Sequence, residues 1–313
     1  MSDLHVIFGT GPLGKWTARE LLQMGHRVRL VNRSGRAQNL PKSVEVVQGD
    51  AYDLERNTVL TQGAVSVYQC AQPAYHQWAG NFPRMQAAIL EASARNGAKL
   101  VLAENLYVYG DPQGKPLTET TALNPNTRKG KIRLEMTQTA FAAHHAGRLR
   151  VTAARGSDFF GPEDQIYNNL IFKPAIAGKT VNLLGSLNQP HTFTYAPDFG
   201  QALAILGTRN EADGGVWHVP SSQPVTQGDF IRMLETQLRK PVKTVVGGKL
   251  ILSLMGMFNP SVRELVEMLY EFTQPFHMNS SAFQTMFGLN PTPLQDAIKA
   301  TLEWNGVNLS SNG

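Results

Sequence analysis

Six residues near the amino terminus, Gly9-Thr10-Gly11-Pro12-Leu13-Gly14, carry glycine at the spacing G-x-G-x-x-G. When a strand precedes that spacing and a helix follows it, each glycine has a task. Gly9 permits the tight turn, Gly11 lets the backbone approach a diphosphate, and Gly14 allows helix and strand to pack closely. The first amides of the helix and the positive end of its dipole then face the phosphates. A dinucleotide is the ligand such a turn fits. Further along lies Asn32-Arg33-Ser34-Gly35-Arg36. A carboxylate at this point would accept from a ribose 2′-hydroxyl and repel a 2′-phosphate, whereas a guanidinium neutralises that phosphate, hydrogen-bonds it and stacks on adenine. Arg33, with Asn32, Ser34 and Arg36 around it, predicts NADP in preference to NAD. Asp50, in Gly49-Asp50-Ala51, is placed to accept from the adenine amine. Ala71-Gln72-Pro73 lets the chain pass over the cofactor, and Cys70 just before it reads as a small buried hydrophobe.

These residues need a scaffold, and the apolar pattern supplies one. Leu4 to Phe8 reads as a buried strand, and a helix runs from Pro12 to Met24, where Gly25 stops it. Further strands are Arg27 to Val31, Val44 to Val47 and Ala64 to Tyr68, with a short helix from Leu54 to Leu60. A helix from Asn81 to Asn96, a strand from Lys99 to Ala103, a helix from Lys131 to His145 and a strand from Arg150 to Arg155 continue the rhythm. Alternation of this kind predicts the α/β class: a doubly wound parallel sheet of the Rossmann type with a smaller, mostly helical C-terminal lobe. Residues 1–160 form the expected Rossmann NADP-binding domain. Residues 161–313 form mainly the substrate-binding lobe, with segments near 191–219 returning to the first domain and a mostly helical stretch from Gln227 to Asn305.

Composition narrows the classes further. The net charge of +5 is dispersed, and the cluster Arg128 to Arg133 has no aromatic neighbours, so no nucleic-acid partner is expected. One cysteine excludes an internal disulfide and fits a reducing, cytoplasmic setting. No signal peptide is visible, and the longest apolar run, Leu250 to Phe258, is about half of a membrane span, so no membrane partner is expected. The eight histidines show no metal-site spacing and no metal is expected. His144 and His145 face a helix carboxyl end, and His191 reads as a polar surface residue near the substrate cleft.

Several motifs occur in a recognisable order: the glycine turn, Asp50, Val108-Tyr109-Gly110, Lys131 with Glu135, Arg155 leading into Phe160-Gly161-Pro162, and Thr194-Tyr195-Ala196-Pro197-Asp198. Phe287-Gly288-Leu289-Asn290-Pro291 follows, before a helix ending in Glu303-Trp304. Over nearly its whole length the chain resembles the short-chain dehydrogenase/reductase superfamily, as an atypical member of the extended branch that includes the NAD-dependent epimerase/dehydratases. In that family a Ser or Thr four positions before the Tyr of V-Y-G polarises the substrate, and a Y-x-x-x-K pair supplies a proton-transfer Tyr and a Lys. Counting from Tyr109 reaches Asn105, and counting back from Lys131 reaches Thr127. The resemblance therefore implies Lys131 as the ribose-holding cation, Asn105 as the polarising donor and Thr127 in the place of the Tyr. It also implies a homodimer through the helices Asn81 to Asn96 and Lys131 to His145. Tyr75, Tyr107 and a buried Glu104 are the candidate proton donors, with core or pocket-wall packing as the competing reading of both tyrosines.

Three functions follow from this reading. The first is an NADP(H)-dependent oxidoreductase acting on a small molecule between the lobes. The second is a nucleotide-sugar epimerase or dehydratase, which the missing Tyr disfavours. The third is a non-catalytic module that senses NADP(H).

Overall fold

Helices cover both faces of the central sheet, and its inner strands are accordingly runs of apolar residues. β1 (Leu4–Phe8) is buried along its whole length. It is followed in the chain by β2 (Arg27–Asn32), β3 (Glu45–Gln48), β4 (Ala64–Gln69), β5 (Lys99–Asn105) and β6 (Val151–Gly156), and a short edge strand, Val216–His218, completes the sheet. The spatial order is Val216–His218, β6, β5, β4, β1, β2, β3, with every neighbouring pair parallel. From β1 the chain winds outward to β3, returns to β4 on the other side of β1, and winds outward again. That reversal opens a crevice at the carboxyl ends of β1 and β4. The computed structural model describes residues 2–248, 253, 264 and 266–309.

α1 (Pro12–Gln23), α2 (Leu54–Leu60), α3 (Trp78–Arg95) and α4 (Arg128–His145) belong to this half. One face of the sheet is covered by α1 and the helix Ala196–Thr208, whose Leu13, Leu21, Ala202 and Leu203 pack on Ile7, Leu30 and Val101. The two helices touch at Gly200, where a side-chain carbon would lie 2.4 Å from the Trp16 Cβ. α3 and α4 cover the other face through Phe82, Met85, Ile89, Met136 and Ala140. The first turn of α3 is broken by Gly80 at φ +72°, so regular helix begins at Asn81, as the sequence pattern predicts. α4 begins three residues before the expected Lys131, because Thr127 is its N-cap: the Thr127 hydroxyl accepts from the Gly130 N–H at 3.0 Å.

A separate core, built on Phe160, Phe172, Phe193, Phe230 and Ile298, holds the carboxy-terminal part together. After Gln227 the described residues are mostly helical, as the sequence pattern predicts, with one strand among the helices. Helices Gln227–Leu238, Tyr270–Thr273, Ser281–Phe287 and Leu294–Trp304 are present, but the β-branched run in Thr244–Gly247 forms a strand parallel to Val181–Leu184. The apolar run from Leu250 to Phe258 lies outside the described residues apart from Ser253. Among the described residues no helix is long and apolar enough to cross a membrane. Two of the distant sequence motifs meet here: the Thr292 N–H and hydroxyl donate to the buried Asp198 carboxylate at 2.8 and 2.7 Å, tying the segment after Pro291 to the first turn of Ala196–Thr208.

At the amino end of β1, away from the crevice, His5 is buried with Nδ1 2.9 Å from the Tyr68 hydroxyl. Burial, with His26 and Lys99 nearby, lowers its pKa from 6.5 to about 3. The folded protein therefore holds a neutral imidazole that the unfolded chain protonates below about pH 6.5. The stability this contributes is fully present above that pH and falls on acidification at up to about 1.4 kcal/mol per pH unit. Between about pH 6.5 and 4.5 the wild type should lose about 2–3 kcal/mol more than His5→Gln, read from urea midpoints. Parallel losses in the two proteins would contradict this.

Candidate functional site

The glycine turn separates into residues that the protein itself requires and one that it does not. Gly9 has φ +113°, and a side-chain carbon there would lie 2.7 Å from the Ala71 backbone nitrogen. At Gly14 it would lie 2.0 Å from the Gly9 carbonyl oxygen. At Gly11 it would meet nothing within 4 Å, and no side chain caps the helix that begins there. Open space in front of an uncapped helix start is where a diphosphate fits. A cleft of about 930 Å³ begins at this point, lined by Gly9, Gly11, Pro12 and Leu13 and continuing across the carboxyl ends of the strands.

At the β2–β3 end the cleft is lined by Asn32, Arg33, Asp50 and Ala51, and beyond β4 by Ala71, Gln72 and Pro73. Asn32 builds the loop after β2. Its Nδ2 donates to the Thr10 hydroxyl at 2.9 Å and the Arg36 carbonyl at 2.7 Å, and its Oδ1 accepts from the Gly35 N–H at 2.7 Å. The Arg33 guanidinium projects from that loop, exposed, with no hydrogen bond or ion pair among the described residues. Ser34 and Arg36 do not line the cleft. The Ser34 hydroxyl donates back to Asn32 Oδ1 at 3.2 Å, and the Arg36 side chain is exposed outside. Asp50 Oδ1 accepts from the Tyr52 N–H at 3.1 Å, leaving its second oxygen for a ligand.

The β5–β6 end differs from expectation in its cations. Lys131 lies outside the cleft and is exposed, as is Glu135. Because α4 turns through about 100° per residue, positions two before and two after Lys131 share the opposite face. Lys129 and Arg133 accordingly point inward and are buried, so the inward pair with i, i+4 spacing is 129/133 rather than 127/131. Thr127 is spent on the helix cap. Lys129 Nζ donates to the Tyr75 carbonyl at 2.8 Å and to Glu264 at 2.7 Å, and sits 4.1 Å from the Tyr75 ring centre. Arg133 lines the cleft between the rings of Trp78 and Phe82, at 5.0 and 4.5 Å, and its Nε has no hydrogen-bond partner.

Asn105, Tyr75 and Tyr107 do meet at this end. Asn105 Oδ1 accepts from the Tyr107 N–H at 3.4 Å, which leaves its Nδ2 as a donor for the cleft. The Tyr75 hydroxyl donates to that of Tyr107 at 3.1 Å. Burial pushes both phenols above their ordinary range, the reverse of the lowering that a Tyr–Lys pair needs. Glu104 is committed elsewhere, accepting from Arg155 Nε at 2.9 Å and the Thr137 hydroxyl at 2.7 Å. Burial pushes the Cys70 thiol up to about 12, so it is no nucleophile. Tyr109 is buried, accepting from Arg155 at 3.0 Å.

His191 is buried, not on the surface. Its Nδ1 donates to the Glu271 carbonyl at 3.0 Å and its Nε2 lies 3.0 Å from Asp158 Oδ2. Among the cleft residues that escaped sequence reasoning are Arg133, Ser157, Asp158 and Glu271. Arg133 had a signal, since a helix started at the Thr127 cap turns it inward. Ser157 and Asp158 lie on the loop after β6 and Glu271 on the short helix Tyr270–Thr273, and the pattern of apolar residues does not set where these segments meet.

Three buried atoms of cleft-lining residues, Trp78 Nε1, Arg133 Nε and Ser157 Oγ, lack hydrogen-bond partners among the described residues, so the wall is incomplete without a polar ligand. The turn, the open Gly11 and these atoms together fit a nicotinamide dinucleotide laid across the strand ends. The comparisons with known proteins agree in fold. The chain is 25% identical over 267 residues to UDP-glucuronic acid decarboxylase 1 of Xenopus tropicalis, covering 76% of this chain and 59% of that protein. It spans about six-tenths of the length of that relative. Among solved structures, an epimerase from Methanothermobacter thermautotrophicus superposes with a TM-score of 0.80 at 16% identity, covering 97% of this chain and 92% of that one. The UDP-glucuronic acid 4-epimerase of Bacillus cereus, solved with UDP-glucuronic acid and NAD, gives a TM-score of 0.78 at 18% identity over 96% and 98%. Residues 6–219, more than half of the chain and all of the parallel sheet after the first positions of β1, match the NAD dependent epimerase/dehydratase family, and to that family the chain belongs.

Proposed function

We propose that the protein is an NADP(H)-dependent oxidoreductase whose small-molecule substrate binds at the β5–β6 end of the cleft. The observation that carries this reading is the uncapped start of α1 behind Gly11 combined with the unpaired Arg33 after β2. When bound, the nicotinamide supplies or accepts a hydride. The chain's own groups do the rest: amides at the start of α1 hold the diphosphate, Arg33 pairs with the 2′-phosphate, and Asp50 accepts from the adenine amine. Arg133 takes the ribose-facing place expected of Lys131, and Asn105 Nδ2 donates to a substrate oxygen on which charge develops.

Family membership supports a second reading, a nucleotide-sugar epimerase or dehydratase. The inward pair Lys129/Arg133 contains no tyrosine, and this places it second. A non-catalytic NADP(H) sensor stands third, because a sensor has no use for the partnerless Arg133 and Ser157 at the substrate end.

Calorimetry with NADP⁺, NADPH and NAD⁺ tests the cofactor choice. Wild type should bind the phosphorylated pair more tightly. Arg33→Asp removes a charge-assisted hydrogen bond and adds repulsion, so NADP⁺ affinity should fall about 100-fold while NAD⁺ affinity stays within about threefold. Equal losses for the two nucleotides would remove Arg33 from the 2′-phosphate, and a wild type preferring NAD⁺ would end the NADP reading. Isotope exchange at a sugar carbon of UDP-glucose would favour the epimerase reading.

A further inference from the structure

Glu271 is the buried acid that the reading above does not use. Its residue is 2% exposed, it lines the cleft, and its carboxyl has no hydrogen-bond or ion-pair partner among the described residues. A buried carboxylate without donors is costly, whereas a buried carboxylic acid is not. The groups facing it reinforce that preference. Asp158, on the loop after β6, adds a negative charge, and the tyrosines Tyr75, Tyr107, Tyr167 and Tyr270 are uncharged. His191 is turned away, donating to the Glu271 backbone carbonyl and facing Asp158. Of the cations near the tyrosine pair, Lys129 is already matched by Glu264, and Arg133 sits between the rings of Trp78 and Phe82. Burial and Asp158 together raise the Glu271 carboxyl well above the usual range.

Its position matters as much as its state. Glu271 shares the cleft with Asn105, Tyr75 and Tyr107 at the β5–β6 end, opposite the β2–β3 end where Arg33 and Asp50 fit the adenosine half. We propose that Glu271 is the proton donor of the reaction in this cleft, holding its proton while the cofactor is reduced and giving it up when the cofactor is oxidised. The inference rests on the nicotinamide reading above.

The step balances. A hydride brings two electrons from the dihydronicotinamide to a carbonyl carbon, and the C=O π pair moves onto oxygen. That oxygen would take the Glu271 proton as the carboxyl O–H bond breaks, leaving a carboxylate at the same end of the cleft where the bound cofactor would supply a positively charged ring. Opposite charges at this end make the carboxylate tolerable only after hydride has left, so proton and hydride transfer are coupled. Solvent then returns a proton past Asp158, whose side chain is 26% exposed.

The test needs no substrate. Calorimetry of the full-length protein near pH 7, in phosphate and in Tris, measures protons released on binding NADP⁺ and on binding NADPH. The 2′-phosphate contributes equally to both, so the difference isolates the ring charge. Wild type should release about one proton more with NADP⁺, and Glu271→Gln should abolish the difference while both cofactors still bind. Should that variant fail to fold, carboxyl carbon-13 spectra of glutamate-labelled wild type serve instead. One glutamate should be protonated with NADPH and ionised with NADP⁺. Cofactor binding with no wild-type difference, a difference that survives in Glu271→Gln, or a Glu271 ionised in both complexes overturns the proposal alone. Absence of binding by either cofactor overturns the oxidoreductase reading itself.

Discussion

Gly14→Ala should destabilise the fold by at least about 3 kcal/mol, whereas Gly11→Ala should leave stability within about 1 kcal/mol of wild type and weaken cofactor binding about 100-fold. The difference lies in what each added methyl meets. At Gly14 it meets the Gly9 carbonyl at 2.0 Å, a backbone atom that no rotamer change can move, so α1 must lift from β1. Leu13, Ala18 and Leu21 would lift with it from the core they share with Ile7 and Leu30. At Gly11 the backbone is extended, alanine adopts it without strain, and no protein atom is nearby. The methyl then occupies space that only a ligand contests. Urea denaturation and NADP⁺ calorimetry on the two variants separate the effects. A Gly11→Ala protein with wild-type affinity would show that the diphosphate binds elsewhere.

The second large effect concerns Glu104. On adjacent strands β5 and β6, Glu104 and Arg155 are register partners, and both side chains are 1% exposed. Glu104→Ala leaves a buried guanidinium with only the Tyr109 hydroxyl as an acceptor and orphans the Thr137 hydroxyl as well. Breaking a buried pair from one side costs about 3–5 kcal/mol, because the remaining charge is uncompensated. The loss should appear as a lower urea midpoint. Glu104→Gln, which keeps the shape and one acceptor, should lose less. Wild-type stability in Glu104→Ala would mean that water already reaches Arg155. The same geometry sets Glu104 apart from Glu271 as a proton donor: its carboxylate oxygens already accept from Arg155 and Thr137.

The parallel sheet was legible because each of its elements carries a local signal. The apolar run of Leu4 to Phe8, the helix stops at Gly25 and Gly97 and the short helix Leu54–Leu60 all lie where the pattern puts them. The glycine turn was equally legible, since Gly9 and Gly14 answer to contacts within ten residues or to the next strand. The substrate end was not. There, the family spacing implied Lys131, whereas α4 turns Lys129 and Arg133 inward and leaves Lys131 exposed, because positions two residues apart on a helix lie on nearly opposite faces. Thr127 satisfies a capping pattern and a counting rule at once, and only backbone geometry decides between them. Asp158 on the loop after β6, His191 at the end of the short strand Pro190–His191 and Glu271 on the helix Tyr270–Thr273 are separated by dozens of residues, and nothing in the periodicity of those segments announces that they meet.

Lys129 and Asp198 have a consequence for how the chain can be divided. Each is buried in the half that matches the family, and each finds its counter-group, Glu264 or Thr292, beyond residue 219. Glu271 and Phe276, also beyond residue 219, line the cleft itself: the last third is a keystone for the first two, so ligand site and tertiary closure both draw on the far end of the polypeptide.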